Sequence, residues 1–392
     1  MIISKKSVTL TLTSAMMAGI YGMSLLSYLP RYLLQLNVDI TIIQLLITCL
    51  VFTTVIFPPF LGKFSDKIQR RSPFFKMASI GMNFTLFFFL FAFNLTLIII
   101  LIFFYGFFWV SDGMKFVLYS ELVESDHRYI AYYNAILAFG WFLGTFGGGI
   151  VIDIFGFEGF FRFLLIMSLI NTIIVILLKE NRSLILEHQE KRDNESNNNL
   201  NLIEQREINP ISRSIYPGLF FRNFGVRPIF AILAIIMFYH ISSDTEIGFL
   251  MGINYLIQVF LNLLIGRIIT DRNLKWFMVI GYILSAIAIF GWIMATDFWS
   301  FLFYQILISL SFAMFFTATQ IYVSKNTTPK NKGKYLGYMN TSSQLGTFTG
   351  GVFFTLLLFV YSDYYPAMRF MIVFPAIAAM IIFLSFERKK EK

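Results

Sequence analysis

Residues 129–149 read YIAYYNAILAFGWFLGTFGGG, and residues 335–351 read YLGYMNTSSQLGTFTGG. Both open on Tyr-x-x-Tyr-x-Asn, at an offset of 206, and both contain Leu-Gly-Thr-Phe, at an offset of 202. Three further pairs keep nearly the same spacing. Asp39-Ile40-Thr41-Ile42 resembles Asp244-Thr245-Glu246-Ile247, offset 205; Asp66-Lys67 resembles Asp271-Arg272, offset 205; Arg162-Phe163 recurs as Arg369-Phe370, offset 207. One match is chance; five at a near-constant offset, each at the same place in an apolar segment, indicate two related halves.

The segments themselves are of membrane length. The chain has 392 residues, 57% hydrophobic and 14% charged, with mean hydropathy +0.71. A soluble core this apolar could not be covered by polar surface. Its apolar residues come in blocks of roughly 20, enough to cross ~30 Å of hydrocarbon at 1.5 Å per residue. Twelve spans are predicted, at 8–29, 39–61, 74–93, 95–118, 129–154, 158–179, 226–241, 247–266, 276–295, 299–322, 335–360 and 366–386. The polar stretch between the sixth and seventh, with EHQEKRD at 187–193 and NNN at 197–199, reads as a solvated linker. The expectation is an all-α membrane protein of two pseudo-symmetric six-helix bundles: residues 1–180, a linker at 181–225, and residues 226–392. The first apolar run follows Lys5 and Lys6 and is too long for a signal-peptide core, so it is read as a retained helix.

Charge placement sets the expected orientation. With the first segment inside, the inner segments hold 27 of the 31 Lys and Arg residues, eight of them at 179–227, and the outer loops hold Arg31, Arg162 and Arg369. This bias predicts a plasma-membrane protein with both termini and the linker cytoplasmic. It accounts for the net charge of +9 without a nucleic-acid partner. Other classes lack their residues. Cys49 is the single cysteine, and His127, His188 and His240 have no metal-site spacing. No phosphate loop is present; Gly62-Lys63-Phe64 is not one. No enzyme activity, cofactor or metal is expected, and a monomer in contact with lipid is.

The segment after the second span, Gly62-Lys63-Phe64-Ser65-Asp66-Lys67-Ile68-Gln69-Arg70-Arg71, resembles the G-x-x-x-D-[RK]-x-G-[RK]-[RK] signature of the major facilitator superfamily, with Gln69 in place of glycine. A second copy, Gly266 to Asp271-Arg272, has one residue more before the Asp. The resemblance implies a short cytoplasmic loop whose Asp66 meets the eleventh span and whose Asp271 meets the fifth, each carboxylate favoured by a helix dipole. It also implies alternating access of two halves around a midplane site. Gly144-Thr145-Phe146-Gly147-Gly148-Gly149 resembles the family's antiporter motif, G-P-x-x-G-G, with Thr145 in place of proline.

Within the spans, Asp112 is read as the one intramembrane acid, one turn before Lys115. Ionisable groups there are costly and usually work, so Asp112, Lys115 and then His240 are the coupling candidates; a pair satisfying itself at the interface is the structural alternative. Asn254, Gln258 and Asn262 repeat every four residues along the eighth span and would line a cavity or bond to a neighbouring helix. Tyr21, Ser24, Asn134, Gln305, Gln320, Asn340 and Gln344 are further cavity candidates. Gly140, Gly144, Gly148 and Gly149, with Gly346, Gly350 and Gly351, are expected to let helix backbones approach. The expected function is proton-coupled export of a small organic solute. Uptake of a sugar, organic acid or similar metabolite is the alternative, and a transporter-like sensor is the alternative of another class.

Overall fold

A computed structural model describes residues 5–68, 70–92, 94–123, 127–178, 212–327 and 329–386. Among them it contains helices and connections only: α1 (Lys5–Gln35), α2 (Ile40–Ile68), α3 (Ser72–Phe89), α4 (Leu95–Asp112), α5 (Met114–Leu122), α6 (His127–Leu177), α7 (Ile215–Phe238), α8 (Asp244–Ile268), α9 (Leu274–Met294), α10 (Phe298–Lys325), α11 (Pro329–Tyr361), α12 (Tyr364–Met371) and α13 (Val373–Ser385).

Among the described residues ten stretches are long and apolar enough to cross a membrane; the expected twelve are reached by counting the two arms of α6 separately and adding the 18-residue α3. The stretch Leu95–Ser120 is one apolar span of 26 residues. It is stepped at Gly113, whose N–H bonds Val110 O at 3.1 Å in a tightened turn. The stretch Tyr364–Ser385 is likewise one span of 22 residues with a step at Ile372. By contrast α6 has 51 residues, about twice the length a bilayer needs. Gly156, at φ 66°, breaks it in a left-handed conformation that only glycine adopts cheaply. Beyond the break the chain returns, since Gly148 packs on Phe160 and Gly147 lies near Phe163.

Span ends are capped by short polar side chains. Asn94 accepts from Thr96 N, Asp363 from Tyr365 N, and Asp297 forms a capping box with Ser300. At the far end of α1, Asn37 takes φ 58° and the Val38 N–H returns to Leu33 O at 3.1 Å.

Two sequence boundaries are corrected. The seventh helix begins at Ile215, not 226, so residues 215–225 leave the expected linker. Arg222 and Asn223 fall in the expected linker, yet Arg222 is 3% exposed and donates to Ser285 and Asn223. The second correction concerns the signature, which was expected in a loop. Instead α2 continues through Gly62 to Ile68, because a charged helix end beyond the hydrocarbon keeps its backbone bonds while its side chains reach water. Residues 181–211 of the linker and both termini lie outside the described residues.

The chain packs as two compact units: residues 1–32, 52–206 and 243–252, and residues 33–51, 207–242 and 253–392. In the first, α1 lies against α6 through glycines. A Cβ on Gly140 would sit 2.4 Å from Met16 O, and one on Gly144 would sit 2.2 Å from Ile20 O. In the second, α11 lies against α7 in the same way, with 2.3 Å from Gly346 to Phe220 O and from Gly350 to Phe224 O. Both contacts are pairs spaced by four on each helix, so the repeat in sequence is also a repeat in packing. An apolar cluster of the second unit, around Leu219, Met278, Tyr282, Phe315 and Ile382, holds α7, α9, α10 and α13 together.

Candidate functional site

Three polar groupings stand out, one of them lining a cavity. The first is built where α4 steps into α5. Lys115 is 1% exposed, and its Nζ lies 2.7 Å from Asp112 Oδ2. The same ammonium donates to Ser14 Oγ of α1 at 3.0 Å. Ser14 donates to Asn171 Oδ1 of α6 at 2.6 Å, and Asn171 Nδ2 donates to Tyr21 OH at 3.2 Å. The chain of bonds therefore ties α1 and α6 to the α4–α5 step. Asp112 is 6% exposed, and among the described residues its Oδ1 has no hydrogen-bond partner. A buried carboxylate oxygen with a vacant lone pair is a place to load a proton.

The second grouping lies at the α6 turn. Asp153 Oδ1 accepts from Asp244 N at 2.9 Å, and its Oδ2 accepts from Thr245 N and Ser243 Oγ, both at 2.8 Å. It acts as the N-cap of α8, supplied from another helix, with its charge on the positive end of the helix dipole. Tyr28 OH donates to Asp244 O at 2.8 Å, and Arg31 Nε stands 3.7 Å from Asp244 Oδ1.

The third is a cavity of about 290 Å³ in the second unit. Its cation is Arg227, at mid-length of α7 and accessible through the cavity. Amides come from Asn223, Gln320, Asn340 and Gln344, and one wall is formed by Phe312, Phe315 and Phe316. Behind the wall, Arg222 lies over Phe315 at 4.6 Å and Phe312 at 5.8 Å. Its Nε donates to Ser285 Oγ at 3.2 Å and its NH1 to Asn223 Oδ1 at 2.9 Å.

Of the residues singled out from sequence, Asp112, Lys115 and Tyr21 come together in the first grouping, and Asn340, Gln344 and Gln320 in the cavity. The amide row of α8 bonds to α10. Asn254 Nδ2 donates to Gln305 Oε1 at 3.2 Å, Gln258 donates to Asn254 Oδ1, and Asn262 accepts from Thr317 Oγ1 at 3.2 Å. Ser24 donates to Gly144 O at 2.6 Å, reinforcing the glycine contact. Asn134 is exposed. His240 Nε2 bonds Tyr365 OH at 3.0 Å beside the Phe301 ring. Gly148 packs on Ser24 Oγ, Gly149 on Asp244 O and Gly351 on Thr48 Oγ1.

In the signature, Arg71 donates to Ser65 Oγ at 2.5 Å, while Lys67 and Arg70 are exposed. The Asp66 side chain lies outside the described residues. In the second copy Gly266 and Arg272 are exposed, and Asp271 pairs with Lys325 of α10 at 2.7 Å. Sequence reading missed Arg31, Asp153, Arg222, Asn223 and Arg227 as site residues. A signal existed for the last three: Leu219, Phe220 and Phe221 precede them and Ile229, Phe230 and Ala231 follow, which places their charges within an apolar segment.

Comparison with known proteins bears on the fold and the family. The chain is 23% identical over 264 residues, 67% of each protein, to an uncharacterized MFS-type transporter of Methanocaldococcus jannaschii. Among solved structures it is similar to the nucleoside transporter NupG (TM-score 0.72, 14% identity, 99% of this chain and 100% of that one). It is also similar to the xylose transporter XylE from E. coli (0.72, 12%, 98% and 99%) and to a POT family transporter in complex with 5-aminolevulinic acid (0.78, 11%, 98% and 96%). At such identities these likenesses establish the fold. The profile of the Major Facilitator Superfamily matches residues 10–238 and 215–392, and with nearly the whole length so covered, the chain belongs to that superfamily.

Proposed function

We propose that this multi-pass transporter is secondary active and proton-coupled, exporting a small organic solute across the plasma membrane by alternating access, with Asp112 as the coupling acid. The observation that carries the coupling is the buried Asp112–Lys115 pair, in which Lys115 engages one carboxylate oxygen, Oδ2. Protonating Asp112 cancels its attraction for Lys115 and releases the ammonium to Ser14 alone. Since Ser14 and Asn171 link that ammonium to α1 and α6, the protonation state bears on how these helices pack. Among the described residues, Lys115, Tyr21, Tyr105 and Tyr133 lie within electrostatic reach of Asp112. Export is supported by the glycine-rich run at 144–149, which resembles the family's antiporter motif. Both termini are proposed to be cytoplasmic, from the distribution of Lys and Arg.

The test is substrate-dependent proton flux. Purified protein in liposomes holding a pH-sensitive dye is challenged with a panel of carboxylates, amines, nucleosides and sugars. At least one solute should move protons in protein-containing liposomes and none in empty ones. Solute flux without proton movement would reduce the protein to an uncoupled facilitator. Nucleosides and sugars belong on the panel because proteins described as nucleoside and xylose transporters share the fold; uptake, the second reading, predicts solute and proton moving in the same direction.

A further inference from the structure

We infer that the cavity on α7 is an anion-binding subsite, and that the transported solute is a small organic anion whose carboxylate or similar head group is gripped by Arg227. The inference rests on the transport reading and narrows it to a substrate class.

The charge balance of the cavity leads to this. Arg222 and Arg227 lie five residues apart in one membrane-length helix. Among the described residues neither forms an ion pair, and no acid lines the cavity. Ionisable groups at this depth are rare, usually paired, and found where they serve a pathway. Arg222 has protein partners in Ser285, Asn223 and the Phe315 face. Arg227 has none of these and opens into the cavity. Its planar fork of donors matches a carboxylate in bidentate geometry.

Arg222 contributes without touching a ligand. By occupying Asn223 Oδ1 it leaves the Asn223 amide NH₂ as the group free to donate. Asn223 and Arg227 are four apart, hence on one face of α7, and both line the cavity. The head-group end is therefore rich in donors and doubly positive. Phe312, Phe315 and Phe316 supply an apolar wall for the body of the solute. A volume of about 290 Å³ suits a small molecule with one ring rather than an extended one.

The experiment measures binding to the full-length protein in nanodiscs, with no gradient and no transport. Its outcome is thus separate from that of the proton-flux test. Four probes of one shape are compared: benzoate, phenylphosphonate, neutral benzamide and cationic benzylammonium. At least one anion should bind about 10-fold or more tightly than benzamide and benzylammonium, the margin expected of a charge-assisted pair. Arg227→Gln should erase that preference and Arg227→Lys should keep part of it. Equal binding of all four, binding by none, or an unchanged preference in Arg227→Gln would overturn the inference. Should Arg227→Gln not fold, the rate at which hydroxyphenylglyoxal modifies wild-type Arg227 decides. The bound anion should slow it several-fold where benzamide does not, and equal rates would overturn the inference.

Discussion

Lys115 holds Asp112 and Ser14 at once from a position 1% exposed, so neither charge can be removed alone without leaving the other stranded. Breaking a buried pair by deleting one partner typically costs about 3–5 kcal/mol, whereas removing both is often nearly neutral. Asp112→Asn and Lys115→Ala should therefore each lower the melting temperature in detergent, and the double variant should recover most of the loss. Equal stability in all four proteins would show that the pair carries no structural energy. The pair itself was legible, because three residues of spacing put both side chains on one helix face. Its partners were not: Ser14 and Asn171 are 157 positions apart and meet only through packing. The arginines of α7 were obscured for another reason. Positive charge in a sequence reads as water-facing unless its partners are visible, and those of Arg222 are an adjacent amide, a serine on α9 and a phenyl face on α10.

At the scale of elements, close packing of α1 on α6 and of α7 on α11 has a sharp consequence. Gly144→Ala places a methyl 2.2 Å from the Ile20 carbonyl oxygen, and Gly346→Ala places one 2.3 Å from that of Phe220. Both should cut the yield of folded protein severely, read by size-exclusion profile and melting temperature. Gly62→Ala meets nothing within 4 Å and sits in a helix, so it should stabilise by up to about 1 kcal/mol. Activity lost by Gly62→Ala despite intact folding would then assign the signature a part in transport. The α8 N-terminus offers an independent check. Asp153 accepts three hydrogen bonds there, so Asp153→Ala should destabilise by about 1–2 kcal/mol, and Asp153→Asn by less. The turn between the fifth and sixth spans was placed at 155–157 by the span lengths, and Gly156 makes it. Helix ends were read poorly wherever charge density stood in for geometry, as at Gly62–Ile68 and Ile215–Gly225.

For the whole molecule, the repeat carried most of what the sequence could tell. Matches such as Leu143–Phe146 with Leu345–Phe348 mark equivalent helices, and those helices make equivalent glycine contacts in each unit. Orientation rests on the Lys and Arg bias, which survives the transfer of Arg222 and Arg227 from the inner segment counted at 179–227 into α7. Single cysteines at Ser196 and Thr296 in a Cys49→Ser background test it: an impermeant maleimide applied to intact cells should label position 296 and spare 196. An anionic solute also fits export in a cell with a negative interior, since moving one negative charge outward gains about 2.3 kcal/mol per 100 mV. The most direct measurement of the coupling claim compares two modes in the same liposomes. Wild type should show both gradient-driven solute movement and gradient-free solute exchange, and Asp112→Asn should keep the exchange while losing the gradient-driven movement. Gradient-driven movement by Asp112→Asn at the wild-type rate would contradict the account, because the coupling proton would then travel without Asp112.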